Sequence, residues 1–157
     1  MLDLIIKNGS CFIEGKLQKK DIGVKNSKII EIADKISDEA KETFDAQKLL
    51  VLPGCMDTQV HFREPGLSHK GTIFSESRAA VAGGVTSYFE MPNTNPQTTT
   101  IENLKSKFEI AANNSLANYS FMFGGTNSNL SEIKKLDFNK IPGIKLFLGS
   151  STGYACG

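Results

Sequence analysis

The sequence lacks the features that mark several large classes of protein. Its formal net charge is +1, so no excess of one sign favours nucleic acid or an anionic membrane as a partner. No apolar run approaches the roughly 20 residues that a membrane-spanning helix needs. The Gly-x-Gly-x-x-Gly fingerprint is absent as well, so nothing supports a dinucleotide-binding fold. We therefore expect neither a nucleic-acid-binding nor a membrane protein.

Cysteine is scarce. The three cysteines, Cys11, Cys55 and Cys156, do not have the spacing of a metal site or of a disulfide framework. They predict free thiols in a reducing compartment. The first residues carry no basic n-region and predict a strand, not a signal peptide. We expect a cytoplasmic location.

The chain of 157 residues is long enough to bury a core, and its pattern changes near residue 50. Before that point, short apolar segments alternate with turn signals, which predicts a small β-sandwich-type subdomain over residues 1–50. The predicted strands are Leu2–Lys7, Phe12–Ile13, Asp21–Val24 and Ile29–Ile32. The predicted turns are Asn8–Ser10 and Lys25–Ser27, and Ala33–Lys41 is predicted to be a surface loop.

From residue 51 onward, strands alternate with helices at a spacing of roughly 30 residues, the size of a βαβ unit. The predicted strands are Leu50–His61, Val85–Met91, Ala117–Phe123 and Gly143–Leu148; helices are predicted near Ile73–Ala82, from Thr99–Glu102 onward and near Ser128–Leu136. This alternation predicts a parallel sheet, either doubly wound or in a (β/α)8 barrel. Polar residues at the carboxyl ends of successive strands favour the barrel. Residues 51–157 are thus predicted to be its first four strands.

The first of these strands ends in a cluster of functional side chains. Asp57–Gly66 reads Asp-Thr-Gln-Val-His-Phe-Arg-Glu-Pro-Gly. Strand alternation predicts Asp57, Gln59 and His61 on one side, with Arg63 just beyond. Imidazole is a common metal ligand, and guanidinium binds carboxylate bidentately. A lone histidine is more often a hydrogen-bonded structural residue, but its polar neighbours here favour a site.

Two later strands end in further candidates. Asn93 follows the second strand within Met-Pro-Asn-Thr, where asparagine is also an ordinary turn former. Lys145 lies between Ile144 and Leu146 in the fourth strand, where a buried lysine is costly unless it is neutralised or paired. The alternative is a lysine whose ammonium group extends to the strand end.

These segments resemble the dihydroorotase family of the amidohydrolase superfamily. The family pattern is Asp-x-His-x-His-x-Arg followed by Glu-Pro-Gly, with Met-Pro-Asn-Thr and Gly-x-Lys-x-Phe further along. Gln59 departs from it, because it stands where the first metal histidine is usual and an amide is a weaker zinc ligand than imidazole.

The resemblance implies an α/β-barrel hydrolase that uses two Zn²⁺ ions to interconvert dihydroorotate and N-carbamoyl-aspartate in pyrimidine biosynthesis. It implies metal ligation by His61, by Lys145 as a bridging carbamate, and more weakly by Gln59. It implies that Arg63 and Asn93 bind the substrate carboxylate, and that Asp57 holds the strand tip or a ligand imidazole. It also implies a small-molecule substrate and a homo-oligomer at full length.

The resemblance is incomplete, since the family chain is far longer. The later metal histidines and the catalytic aspartate of the family have no counterpart among these residues, whose only histidines are His61 and His69. We expect an N-terminal half, arising by truncation, as a partial gene or as a split chain. Two alternatives stay open: a non-catalytic structural partner, and a related cyclic amidase of the hydantoinase or allantoinase type.

We predict that a polypeptide of residues 1–157 has no appreciable dihydroorotase activity by itself. A catalytic zinc site normally has three protein ligands, and no late-strand aspartate is available here to move a proton. The measurement is hydrolysis of dihydroorotate at alkaline pH after addition of zinc and bicarbonate. Turnover that disappears in His61→Ala would contradict the prediction.

Overall fold

The computed structural model describes residues 1–149. The chain divides into two compact units, Met1–Pro53 and the segment from Gly54 onward. Among the described residues, no helix is both long and apolar enough to cross a membrane.

The first unit is a single five-stranded sheet. Its strands are β1 (Leu2–Ile13), β2 (Lys16–Lys25), β3 (Lys28–Ala33), β4 (Ala40–Asp45) and β5 (Leu50–Val51). The order is β3-β2-β1-β4, with β5 also paired to β1. β1, β2 and β3 are antiparallel neighbours, whereas β4 and β5 run parallel to β1. The described residues of this unit contain no second sheet, so they do not form the predicted sandwich.

The predicted turn at Asn8–Ser10 is wrong, because β1 continues through it. The register between β1 and β2 shifts between Ile6 and Gly9, and Asn8 has a left-handed φ of 62°. The buried carboxylate of Asp21 accepts the Asn8 N–H at 2.9 Å and the Ile36 N–H at 3.0 Å. The Asn-Gly pair therefore forms a bulge whose amide is satisfied from the neighbouring strand.

Two more predictions in this unit need correction. The loop predicted for Ala33–Lys41 ends early, because β4 begins at Ala40 and pairs with β1. The strand predicted over Leu50–His61 is two strands: β5 belongs to the first sheet and β6 (Cys55–Val60) to the second unit. By contrast, the predicted turn after Lys25 is confirmed as the connection between β2 and β3.

The second unit alternates strands with helices as predicted, except that the predicted third strand, Ala117–Phe123, is two short strands that belong to different sheets. After β6 come α1 (Ile73–Ala82), β7 (Val85–Glu90), α2 (Ile101–Asn114), β8 (Asn118–Phe121), β9 (Phe123–Gly124), α3 (Leu130–Ile133) and β10 (Ile144–Lys145). All strand pairs in this unit, β6 with β7, β7 with β8 and β9 with β10, are parallel. The carboxyl ends of β6, β7 and β8 therefore meet at one edge.

The core of this unit is aromatic. The rings of Phe62 and Tyr88 pack at a tilt of 46° with centroids 4.4 Å apart, and Phe108 meets Phe121 edge-on at 4.9 Å. Leu104 and Ala111 of α2 are buried against this cluster. The packing fixes the helices on one side of the sheet and leaves its carboxyl edge free to carry polar residues.

Candidate active site

The tip of β6 carries the candidate residues, but its alternation is interrupted. Asp57 pairs with Tyr88 and Val60 with Glu90, so β6 has one more residue between these pairs than β7. The prediction that Asp57 shares one side of the strand with Gln59 and His61 is therefore wrong. The Asp57 carboxylate accepts the Gln59 N–H at 3.0 Å, a contact that holds the bulged strand tip.

His61 and Asn93 come together across the ends of β6 and β7. His61 Nδ1 lies 2.9 Å from Asn93 Oδ1, and Asn93 is buried. With the amide oxygen as acceptor, Nδ1 carries the ring proton, and Nε2 keeps the lone pair that a metal ion needs. Asn93 therefore contacts the candidate ligand, and the binding of a substrate carboxylate that the resemblance implies for it stays a prediction.

The surroundings of His61 favour the neutral form of its ring. The pKa of His61 is lowered from 6.5, mainly by desolvation and also by the positive charges of Arg63, Lys145 and Lys107, while the bond to Asn93 acts in the opposite direction. A neutral imidazole is the form that binds metal.

Lys145 and Gln59, the other two predicted metal ligands, are also neighbours. Lys145 Nζ donates to Gln59 Oε1 at 3.2 Å, and the ammonium group lies 5.6 Å from the centre of the Phe147 ring. Lys145 is half-buried, so its side chain is not fully enclosed by its apolar neighbours. Its nearest described partner is thus a neutral amide oxygen.

Arg63 follows His61 in an unusual backbone conformation. Its φ is 72°, in the left-handed region that non-glycine residues rarely adopt. Its N–H donates to Glu90 Oε1 at 3.0 Å. Among residues 1–149, no carboxylate lies within ion-pair distance of the Arg63 guanidinium.

A buried ion pair beneath the strand tips is the feature that the sequence reasoning missed. Lys107 Nζ lies 3.1 Å from Glu90 Oε2, although outside hydrogen-bond geometry, and both residues are fully buried. Lys107 also donates to the Met91 carbonyl at 3.1 Å. The available signal was a lysine on the same helical face as Leu104 and Ala111.

The loop after Arg63 is fixed by close backbone contacts. Glu64 Oε2 accepts the first helical N–H of α1, that of Ile73, at 2.7 Å. Asn95 N–H donates to the Pro65 carbonyl at 3.0 Å. A Cβ atom on Gly66 would lie 1.9 Å from the Asn95 carbonyl oxygen. The loop after β6 is thereby tied to the loop after β7.

The described residues fit only part of a zinc site. They contain no group of three histidine, cysteine, aspartate or glutamate side chains placed to hold a metal ion. His61 offers one imidazole nitrogen, Gln59 an amide oxygen and Lys145 an unmodified amine. A complete site would need ligands beyond these.

We predict that Gly66→Ala is much more damaging than Gly84→Ala. Both glycines have positive φ, 83° and 87°, but Gly84 has open space where a Cβ atom would stand. Left-handed strain costs about 1–2 kcal/mol at either site, and the clash with Asn95 adds to it only at Gly66. Chemical denaturation of both variants measures the difference. Equal losses in the free energy of unfolding would contradict the proposed crowding.

We also predict that His61 titrates below 6.5 in the folded protein. The unfolded chain then binds more protons between the folded pKa and 6.5, so the contribution of His61 to stability is full above 6.5 and declines as the pH falls through the folded pKa. Asn93→Leu keeps the site filled and removes the bond that raises this pKa, so the midpoint should fall further. NMR titration of the imidazole measures both values. An unchanged midpoint in Asn93→Leu would refute the assignment.

Comparison with known proteins places the chain in a family. The family model described as dihydro-orotase-like matches residues 48–140, more than half of the chain. An allantoinase from Desulfitobacterium hafniense (strain Y51) is 39% identical over 146 residues, which cover 92% of this chain and 32% of that protein. An allantoinase from Escherichia coli (strain K12 / DH10B) is 36% identical over 149 residues, covering 94% of this chain and 33% of that protein.

Solved structures have the same architecture. An L-hydantoinase (dihydropyrimidinase) from Arthrobacter aurescens superposes with a TM-score of 0.93 and 32% identity, over 100% of this chain and 35% of that one. A D-hydantoinase from Thermus sp. superposes with a TM-score of 0.80 and 26% identity, over 95% and 34%. The chain spans about a third of the length of these relatives. By its family match, the chain belongs to the dihydro-orotase-like family of the amidohydrolase superfamily.

Proposed function

We propose that the complete protein is a cyclic amidohydrolase whose substrate is dihydroorotate, and that this chain contributes its first four barrel strands and part of its site. The observation that carries the proposal is Arg63. It stands two residues after His61, and no carboxylate among residues 1–149 pairs with its guanidinium. A fork of N–H donors beside a candidate metal ligand suits a cyclic amide whose ring carries a carboxylate.

The chain's own residues have distinct roles in this proposal. Arg63 binds the substrate carboxylate and thereby fixes the orientation of the ring. Asn93 holds His61 in the tautomer that leaves Nε2 available as a ligand. Such orientation contributes to rate because the reacting groups meet without a further loss of rotational freedom.

The proposed site includes divalent metal ions, because the dihydroorotase family that the sequence resembles uses two Zn²⁺ ions. Zinc ions, when bound, supply a hydroxide of lowered pKa and polarise the amide carbonyl. His61 would be one ligand, and Lys145 would become one on carboxylation, with Gln59 beside it at 3.2 Å. The carboxylated lysine and the remaining ligands stay proposals.

A second candidate substrate is a hydantoin or allantoin ring. It is favoured by the names of the relatives, which are allantoinases and hydantoinases at 32–39% identity. These rings lack the carboxylate of dihydroorotate, so only dihydroorotate would depend on Arg63 for binding.

The deciding experiment compares Arg63→Gln with the wild type of the complete protein on dihydroorotate and on hydantoin. Loss of one charged, bidentate contact should lower kcat/KM for dihydroorotate by about 10²-fold and leave hydantoin turnover almost unchanged. Arg78→Gln is the matched control, because Arg78 donates to the carbonyls of Phe74 and Asn114, away from the strand tips. Equal effects on both substrates would reject the carboxylate role, and turnover of hydantoin or allantoin alone would establish the second candidate.

A further inference from the structure

The two strand tips that carry His61 and Asn93 converge on one buried ion pair. Glu90 Oε1 accepts the N–H of Arg63, two residues after His61, at 3.0 Å. Lys107 Nζ donates to the carbonyl of Met91, two residues before Asn93, at 3.1 Å. The carboxylate therefore holds the end of β6 and the ammonium group holds the end of β7.

Lys107 reaches the β7 tip at a second point. Its Nζ lies 3.5 Å from Thr98 Oγ1, and the Thr98 N–H donates to the Pro92 carbonyl at 3.0 Å. Thr98 and Asn93 are both buried. The segment that carries Asn93 is thus closed by the hydrogen bond between Thr98 and Pro92, and Thr98 contacts the same ammonium group.

Stability alone does not account for this pair. Replacing a buried ion pair with apolar residues of similar volume is often neutral or even stabilising. The surroundings here are apolar enough for such a replacement, since the Lys107 ammonium group lies 5.1 Å from the centre of the Phe121 ring. What an apolar pair could not provide is an acceptor for Arg63 N–H, which the left-handed φ of 72° turns toward Glu90.

We propose that Glu90 is a positioning residue: its buried carboxylate, balanced by Lys107, fixes the backbone after His61 and so sets where His61 and Arg63 stand relative to Asn93. This inference rests on the proposed function for its catalytic consequence only. Its geometric content, the dependence of the strand tip on one acceptor, can be tested without turnover.

The test uses two double variants of the complete protein that remove both charges. Glu90→Gln/Lys107→Met keeps an oxygen that can accept Arg63 N–H, and Glu90→Leu/Lys107→Met does not. The measurements are kcat and KM on the cyclic amides named above, the amide proton shift of Arg63, and the ring nitrogen shifts of His61. Thermal denaturation checks that both variants fold.

The expected result is a difference between the two variants. The Leu variant should lose about 10²-fold in kcat, the order of loss caused by a displacement of about 1 Å at a reacting group. Its Arg63 amide and His61 ring signals should move, whereas the Gln variant should keep the wild-type shifts and most of the wild-type kcat. If the Leu variant does not fold, the single variant Glu90→Asp, which retains Lys107, replaces it. Aspartate keeps the negative charge but its shorter side chain withdraws the acceptor from Arg63 N–H, so the same changes are expected.

Equal kcat and equal shifts in the Gln variant and its acceptor-deficient partner would overturn the proposal and leave the pair a purely structural one. Absence of turnover in the wild-type protein on every cyclic amide would instead reject the proposed function. In that case the Arg63 and His61 signals still decide whether Glu90 positions the strand tip.

Discussion

The second unit depends on a pair of opposite charges taken out of water. Burial raises the pKa of Glu90 and lowers the pKa of Lys107, because desolvation disfavours the charged form of each group. The charge of the partner acts against desolvation in both groups, and the Arg63 amide also favours ionised Glu90. Removing one partner would leave the other buried and unpaired, a loss of about 3–5 kcal/mol in comparable pairs. The strand tips are therefore coupled to the core through an ion pair, and neither partner can be removed alone without a large loss of stability.

The alternation of strands and helices in the second unit was predictable because local sequence patterns indicate it. Helix α1 begins at Ile73 and ends at Ala82, as predicted, since Thr72 caps it and Gly83–Gly84 stops it. Helix α2 follows its cap at Thr100. The parallel strands follow from strand-helix alternation. Closure of these strands into a barrel stays a prediction.

The first unit was harder to predict because its outcome depends on partners far away in sequence. Asn8-Gly9 is a strong local turn signal, yet pairing with β2 on one side and with β4 and β5 on the other keeps β1 extended. Gly9 is needed for a different reason: a Cβ atom there would lie 2.6 Å from a Val51 side-chain carbon. The polar sequence of Ala40–Asp45 contains no local signal for a strand. The segment is a strand because it pairs in parallel with β1. Burial and long-range pairing overrode local propensity.

The candidate site was predictable in its residue types and less so in its contacts. Strand-end polarity pointed to His61, Arg63, Asn93 and Lys145, and the structure brings His61 to Asn93 and Lys145 to Gln59. The partners of Asn93 and Asp57 could not be read from spacing, because a one-residue bulge in β6 changes which side chains face each other. Lys107, 46 residues after His61 by their numbers, could be linked to the site only by three-dimensional packing.

The family match and the site carry different kinds of information about substrate. Parallel strands and the loops that follow them set where polar groups gather, and relatives with the same fold act on several cyclic amides according to their names. Discrimination among rings that all contain an amide to be hydrolysed must come from groups that touch what differs between them. A site built to bind a substrate charge rejects an analogue that lacks it strongly, because its own buried polar groups are then left unpaired. In the proposed function, Arg63 is the residue to which that argument applies, and its N–H donates to the Glu90 carboxylate. The proposal thus links substrate choice and core electrostatics at one residue.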